Sequence, residues 1–333
     1  MMQHPAIVAL LVSSFLIAGM VLSAAWHGVG IMRAWDLRSG SERQVRLERR
    51  TYLVSSILGY ALAFQALSLF LFILTADTLH SQFTGAMCAA GSLNANGYGY
   101  PTLFLKIATC LLAGVWLVIN HVDTRGYDYP LIKAKYALLV TLLAPLVLVE
   151  TSVHYRYFRG LHADVITSCC GSLFGTGTGS IGRDLAGLPA APMVWVYYSC
   201  LAVALASSLY VVKRGRGGYF FSAVSAVMFV VSAASLVSFI GLYVYELPSH
   251  HCPFCMLQQE YGYVGYAFYG TLFGGGVAGL GAGALTPFRR HASLARIIPA
   301  TQRRLAAFAL GSYLLFALIA SSYLVFSPLR LFH

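Results

Sequence analysis

YFFSAVSAVMFVVSAASLVSFIGLYVY, residues Tyr219–Tyr245, runs for 27 residues without an Asp, Glu, Lys or Arg. A helix of that length crosses the roughly 30 Å of hydrocarbon in a bilayer. Beyond it stands His250-His251-Cys252-Pro253-Phe254-Cys255-Met256, and from about residue 261 to 285 a second apolar run follows. Two spans joined by a short loop rich in thiols and imidazoles set the terms for the rest of the chain.

Working outward, six more runs are long and apolar enough to span: roughly 6–32, 52–76, 101–121, 135–153, 190–212 and 305–326. The chain is 58% hydrophobic and 10% charged, with mean hydropathy +0.72. Soluble domains carry about 25% charge. The expected fold is therefore all-α: one transmembrane domain over residues 1–333, a polytopic bundle of about eight helices. The first run follows Met-Met-Gln-His-Pro with no Lys or Arg before Arg33, so it reads as a retained span and not as a signal peptide. The net charge of +11 reads as loop charge that orients the bundle; no nucleic-acid partner is expected.

Eight spans put both termini on one side and sort the loops into two sets. Loops 33–51, 122–135, 213–218 and 286–304 hold seventeen of the twenty-two Lys and Arg residues, and the opposite set with the termini holds Arg156, Arg159, Arg183 and Arg330. By the positive-inside rule the first set is cytoplasmic. Loops 77–100, 154–189 and 246–260, with both termini, then face outward, into the periplasm if the membrane is a bacterial inner membrane.

The cysteines sort in the same way. Cys88 falls in the first outer loop, Cys169 and Cys170 in the second, and Cys252 and Cys255 in the third, while Cys110 and Cys200 lie within spans. No cytoplasmic loop has one. Outer thiols in an oxidising compartment are disulfides, redox pairs or metal ligands.

Cys252-Pro253-Phe254-Cys255 is a CxxC pair. With Cys252 at the N-cap of the seventh helix and Pro253 at N1, the helix dipole would favour a thiolate there, and the second thiol would resolve the first. The same residues could hold a soft ion such as Cu(I), with Met256, His250, His251, Cys88 and Met87 as further donors. Cys169 and Cys170 sit in a glycine-rich loop; neighbours in sequence bond one another only with strain, so each would find another partner. Lys106 and Glu150 are the intramembrane ionisable candidates; charges at that depth are expensive, so either an ion pair between them or snorkelling to the interface is expected. Gly274–Gly276, Gly279, Gly281 and Gly283 read as a small-residue face for close helix packing. Aromatics such as Trp195, Tyr245 and Tyr261 form an interfacial belt that could also wall a quinone pocket.

A CxxC at the outer mouth of a helical bundle, with thiols in other outer loops, resembles the layout of membrane thiol oxidoreductases of the DsbB and vitamin K epoxide reductase type. The resemblance implies a quinone as membrane carrier. Three functions follow. The first is a thiol–disulfide electron relay, in which Cys169, Cys170 and Cys88 exchange with a periplasmic partner and Cys252 and Cys255 with a membrane carrier. The second is Cu(I) binding and transfer with a metal-carrying protein. The third is a structural subunit of a larger membrane complex with disulfide-stapled loops.

Overall fold

The computed structural model describes residues 1–36, 39, 41–126, 128–162, 167 and 188–329. Cys169 and Cys170 lie outside the described residues. All regular structure among the described residues is helical, and eight helices are long and apolar enough to cross a membrane. This is the architecture of a multi-pass membrane protein.

The first spans are α1 (Pro5–Ala34) and α2 (Glu42–Thr78). A short α3 (Ala89–Asn94) precedes α4 (Gly99–Asp123). The fourth span is α5 (Ile132–Leu138), a π-turn at Leu139–Leu143 and α6 (Ala144–Arg159). α7 (Ala190–Arg214) is followed by α8 (Gly218–Ser235), a second π-turn at Leu236–Ile240 and α9 (Gly241–Tyr245). α10 (Val264–Ala284) and α11 (Ile297–Phe326) complete the set.

Several helices outrun their apolar windows. α2 starts ten residues before the expected 52, and its first turn holds an exposed Glu42–Arg46 pair. Hydropathy reports where a helix meets lipid, whereas the hydrogen-bond ladder continues into the headgroup region as long as the side chains tolerate water. Pro145 lies at the start of α6 directly after a π-turn. The widened turn accommodates a residue that cannot donate to the ladder.

The chain divides into two compact units. The first comprises Met1–Thr75, Asn96–Ala163 and Ala284–Thr301. In it α1 packs on α5 and α6, and α4 packs on α6. Its apolar core gathers Val21, Leu58, Leu62, Trp116, Tyr136 and Val147, among others. Between helices in lipid there is little hydrophobic driving force, so close packing and polar contacts hold them. Trp116 Nε1 donates to the Lys135 carbonyl at 3.0 Å, and Ser55 Oγ and Tyr136 Oη lie 3.0 Å apart.

The second unit comprises Ala76–Ala95, Asp164–Gly283 and Gln302–His333. α7 turns into α8 through Gly215 (φ +64°) and Gly217 (φ +88°), both in the left-handed region that a side chain disfavours. α10 presents its glycines to two neighbours. Gly275 faces Tyr313 on α11, whose hydroxyl donates to the Gly275 carbonyl at 3.3 Å, and Gly279 and Gly283 face Ser225 and Ser222 on α8. The small-residue face expected from the sequence is thus a packing face. Tyr197 of α7 packs on Phe239 and Phe316 at ring separations of 6.0 Å.

Candidate functional site

Within the second unit, two loops bring three thiols together. Cys88 stands immediately before α3, and Cys252 and Cys255 lie in the loop after α9. The Sγ atoms of Cys88 and Cys252 are 3.4 Å apart, and all three sulfurs lie within 4.8 Å of one another. Cys88 is 0% exposed, Cys252 2% and Cys255 5%. Residues 164 positions apart in sequence are therefore neighbours in a dry pocket.

Polar side chains hold the loops in register. Asp77 Oδ1, at the end of α2, accepts from the Ala89 N–H at 3.0 Å and from Gln258 Nε2 at 3.2 Å. Gln258 Nε2 also donates to the Met87 carbonyl at 3.1 Å. Tyr245 donates its hydroxyl hydrogen to the Cys252 carbonyl and accepts from the Met256 N–H at 3.0 Å, bracing both ends of the CxxC turn. Tyr269 of α10 donates to the Pro253 carbonyl at 2.6 Å. Glu246 and Tyr263, which bracket this loop, both adopt φ +57°, a region non-glycine residues seldom enter. The second outer loop touches the first at Thr167, whose N–H donates to the Thr84 carbonyl at 3.0 Å.

The expected N-cap geometry is corrected. Cys252 does not start the seventh spanning helix: Cys255–Leu257 and Gln259–Tyr261 form two 3-10 turns, and α10 begins only at Val264. Without a helix dipole aimed at it, the Cys252 thiol is not activated. The adjacent Cys255 sulfhydryl, which stabilises the neutral form, pushes its pKa well above the ordinary thiol value; the Cys88 sulfur lowers it in part, and burial raises it again. A raised folded-state value contributes stability below the unfolded pKa and loses it as pH rises past that point. Reduced protein should therefore lose stability above pH 9.0, the ordinary thiol value, and Cys252→Ala should remove that part of the loss. Thermal unfolding at a series of pH values measures it, and identical profiles for the two proteins would refute it.

The other candidate ligands are placed as follows. Met256 is fully buried, with its side chain packed where a Cβ on Gly265 would otherwise stand. Met87 is 71% exposed. His250 stacks edge-on against Tyr245 at 4.4 Å, and burial, with His251 beside it, holds its imidazole below the ordinary range. His251 donates from Nδ1 to the Val237 carbonyl at 2.9 Å, using a carbonyl in the second π-turn. Neither imidazole belongs to the group of three mutually close sulfurs.

In the first unit the expected ion pair is present. Lys106 Nζ lies 2.8 Å from Glu150 Oε1, and both side chains are 0% exposed. Two residues are not where loop or belt reasoning put them. Lys135, counted with the cytoplasmic loop charge, is buried and lies 2.7 Å from Asp123 Oδ2. His154, grouped with the outer-loop histidines, is fully buried in α6. Asp77, Gln258, Tyr245 and Tyr269 were not legible as loop ties, because each is an ordinary polar residue until its partner is known.

Compared with known proteins, the chain matches no family model, no curated protein and no solved structure.

Proposed function

We propose that the chain is a multi-pass membrane thiol–disulfide redox protein, seated in a bacterial inner membrane with its three-sulfur cluster toward the periplasm. The positive-inside distribution of Lys and Arg supports that orientation. One observation carries the function: Cys252 Sγ stands 3.4 Å from Cys88 Sγ, with Cys255 in the same cluster. Thiol–disulfide exchange needs three sulfurs, one attacking, one attacked and one leaving.

The exchange conserves electrons. With Cys252 and Cys255 joined, the Cys88 thiolate attacks Cys252 Sγ; the Cys88–Cys252 bond forms, the Cys252–Cys255 bond breaks, and Cys255 leaves as a thiolate that takes up the proton Cys88 lost. Net turnover moves an electron pair onward: a disulfide or dithiol partner exchanges through Cys169 and Cys170, and a membrane quinone serves as the other redox partner. Cys169 and Cys170 follow Thr167 by two and three residues, and Thr167 hydrogen-bonds the first thiol loop.

A second reading rests on the number and burial of the sulfurs. Three buried thiols within 4.8 Å suit a soft cation of low coordination number such as Cu(I), with Met256 adjacent in sequence.

One experiment separates the two. In Cys255→Ser, mild oxidation followed by alkylation and mass spectrometry is expected to reveal a Cys88–Cys252 disulfide that a mild reductant opens. Both cysteines alkylated as thiols, in folded protein, would overturn the relay. Wild-type thiols that resist alkylation until a Cu(I) chelator is added would instead establish the metal site.

A further inference from the structure

Four helices of the first unit stack polar side chains in one buried column. Glu150 and His154 stand one turn apart on α6; Gln65, Ser68 and Phe72 follow at helical spacing on α2. Lys106 Nζ of α4 donates to Glu150 Oε1 at 2.8 Å and to Ser68 Oγ at 3.2 Å, and Gln65 Nε2 donates to Glu150 Oε2 at 2.6 Å. Ser14 Oγ of α1 lies 3.1 Å from His154 Nδ1. Lys106 Nζ is 5.6 Å from the centre of the Phe72 ring, and the same ring packs edge-on against His154 at 5.3 Å. The polar members are all between 0% and 3% exposed.

Two atoms of this column, His154 Nε2 and Gln65 Oε1, are buried with no hydrogen-bond partner. At membrane depth an unpaired polar atom is expensive, because no lipid group can bond it. Mutual neutralisation accounts for Lys106 and Glu150. It does not account for a buried imidazole with an unfilled nitrogen one helical turn from that carboxylate, nor for an amide oxygen left open beside it. One open donor-or-acceptor and one open acceptor suit water, which can bond either kind of atom, and not a further ion.

We propose that this column is a proton-relay site, in which Glu150 and His154 exchange a proton through water held by His154 Nε2 and Gln65 Oε1. A proton delivered as hydronium from the aqueous phase moves onto the imidazole, leaving neutral water, and passes to the Glu150 carboxylate. The imidazolium becomes imidazole, the carboxylate becomes a neutral carboxyl, and the reverse step returns the proton to water. Lys106 Nζ, 2.8 Å from Glu150 Oε1, stabilises the ionised carboxylate between transfers. Among the described residues, the titratable groups facing the site are Lys106 and Cys110 from α4 and Glu150, His154 and Tyr157 from α6; α1 and α2 contribute only the uncharged Ser14, Gln65, Ser68 and Phe72. The site is independent of the thiol chemistry and does not need it.

Infrared pH-difference spectroscopy on the full chain in lipid nanodiscs, between about pH 4 and 10, tests this across the carboxyl and amine ranges. The wild type is expected to show a protonated-carboxyl band that titrates and is missing in Glu150→Gln. On transfer to D2O the shift of that band should slow about tenfold or more in His154→Leu, because the imidazole is its proton carrier. Gln65→Leu should move the band, since it removes the bond to Oε2. Wild-type and Glu150→Gln spectra that superpose at every pH would overturn the proposal, as would an exchange rate unchanged by His154→Leu. Should Glu150→Gln fail to fold, a band that neither His154→Leu nor Gln65→Leu alters overturns it equally.

Discussion

Lys106→Met is expected to cost about 3–5 kcal/mol of stability, because it leaves the Glu150 carboxylate buried without its counter-charge. The methionine fills much the same volume, so the loss is electrostatic and not a cavity. Gln65 and Ser68 cannot compensate: Gln65 donates one hydrogen bond to Glu150 Oε2, and Ser68 bonds the ammonium that has been removed. The double variant Lys106→Met, Glu150→Leu should recover most of the loss, since apolar replacement of both partners of a buried pair is often close to neutral. Unfolding followed by circular dichroism in one detergent measures all three proteins. A Lys106→Met protein as stable as wild type would mean that the two charges do not meet in a dry environment.

Gly279→Val is expected to destabilise by about 1–3 kcal/mol or more, through overpacking. A Cβ at Gly279 would overlap Ser225 Cβ and Oγ on α8, and one turn on, Gly283 approaches Ser222 as closely. Gly279→Ala should already be harmful, and Ser225→Gly in the same chain should relieve it. Gly311 on α11 supplies the control, because nothing lies within 4 Å of a Cβ built there. Gly311→Ala should be neutral or stabilising by up to about 1 kcal/mol, the helix-propensity difference between the two residues. Equal effects at Gly279 and Gly311 would refute the close approach of α8 and α10.

The amino-acid sequence by itself determined the eight spans, the stripe of glycines on α10 and the meeting of Lys106 with Glu150. Each follows from how a residue responds to lipid. Long uncharged runs must be helical there, because every backbone group has to find a partner within its own segment. Small residues let helices approach, and a charge inside a span needs an opposite one. Such constraints act on composition and short-range spacing, which can be read without coordinates.

Tertiary structure alone decided which side chains meet. Cys88 and Cys252 become neighbours because Asp77 and Gln258 tie two loops together while Tyr245 braces the CxxC turn, and nothing near either cysteine in sequence announces it. The CxxC turn showed the limit of local reasoning: Cys252 and Pro253 carry the residues of a helix start, yet the loop makes two 3-10 turns first, so the thiol is buried and neutral where a helix N-terminus would have activated it. Lys135 and His154 were misplaced for the same reason. Both sit near a span end in sequence, where a side chain can reach either water or a neighbouring helix. The helix that happens to stand opposite, with Asp123 for one and Ser14 for the other, makes that choice, and helix order in a bundle is set by packing between distant segments and not by hydropathy.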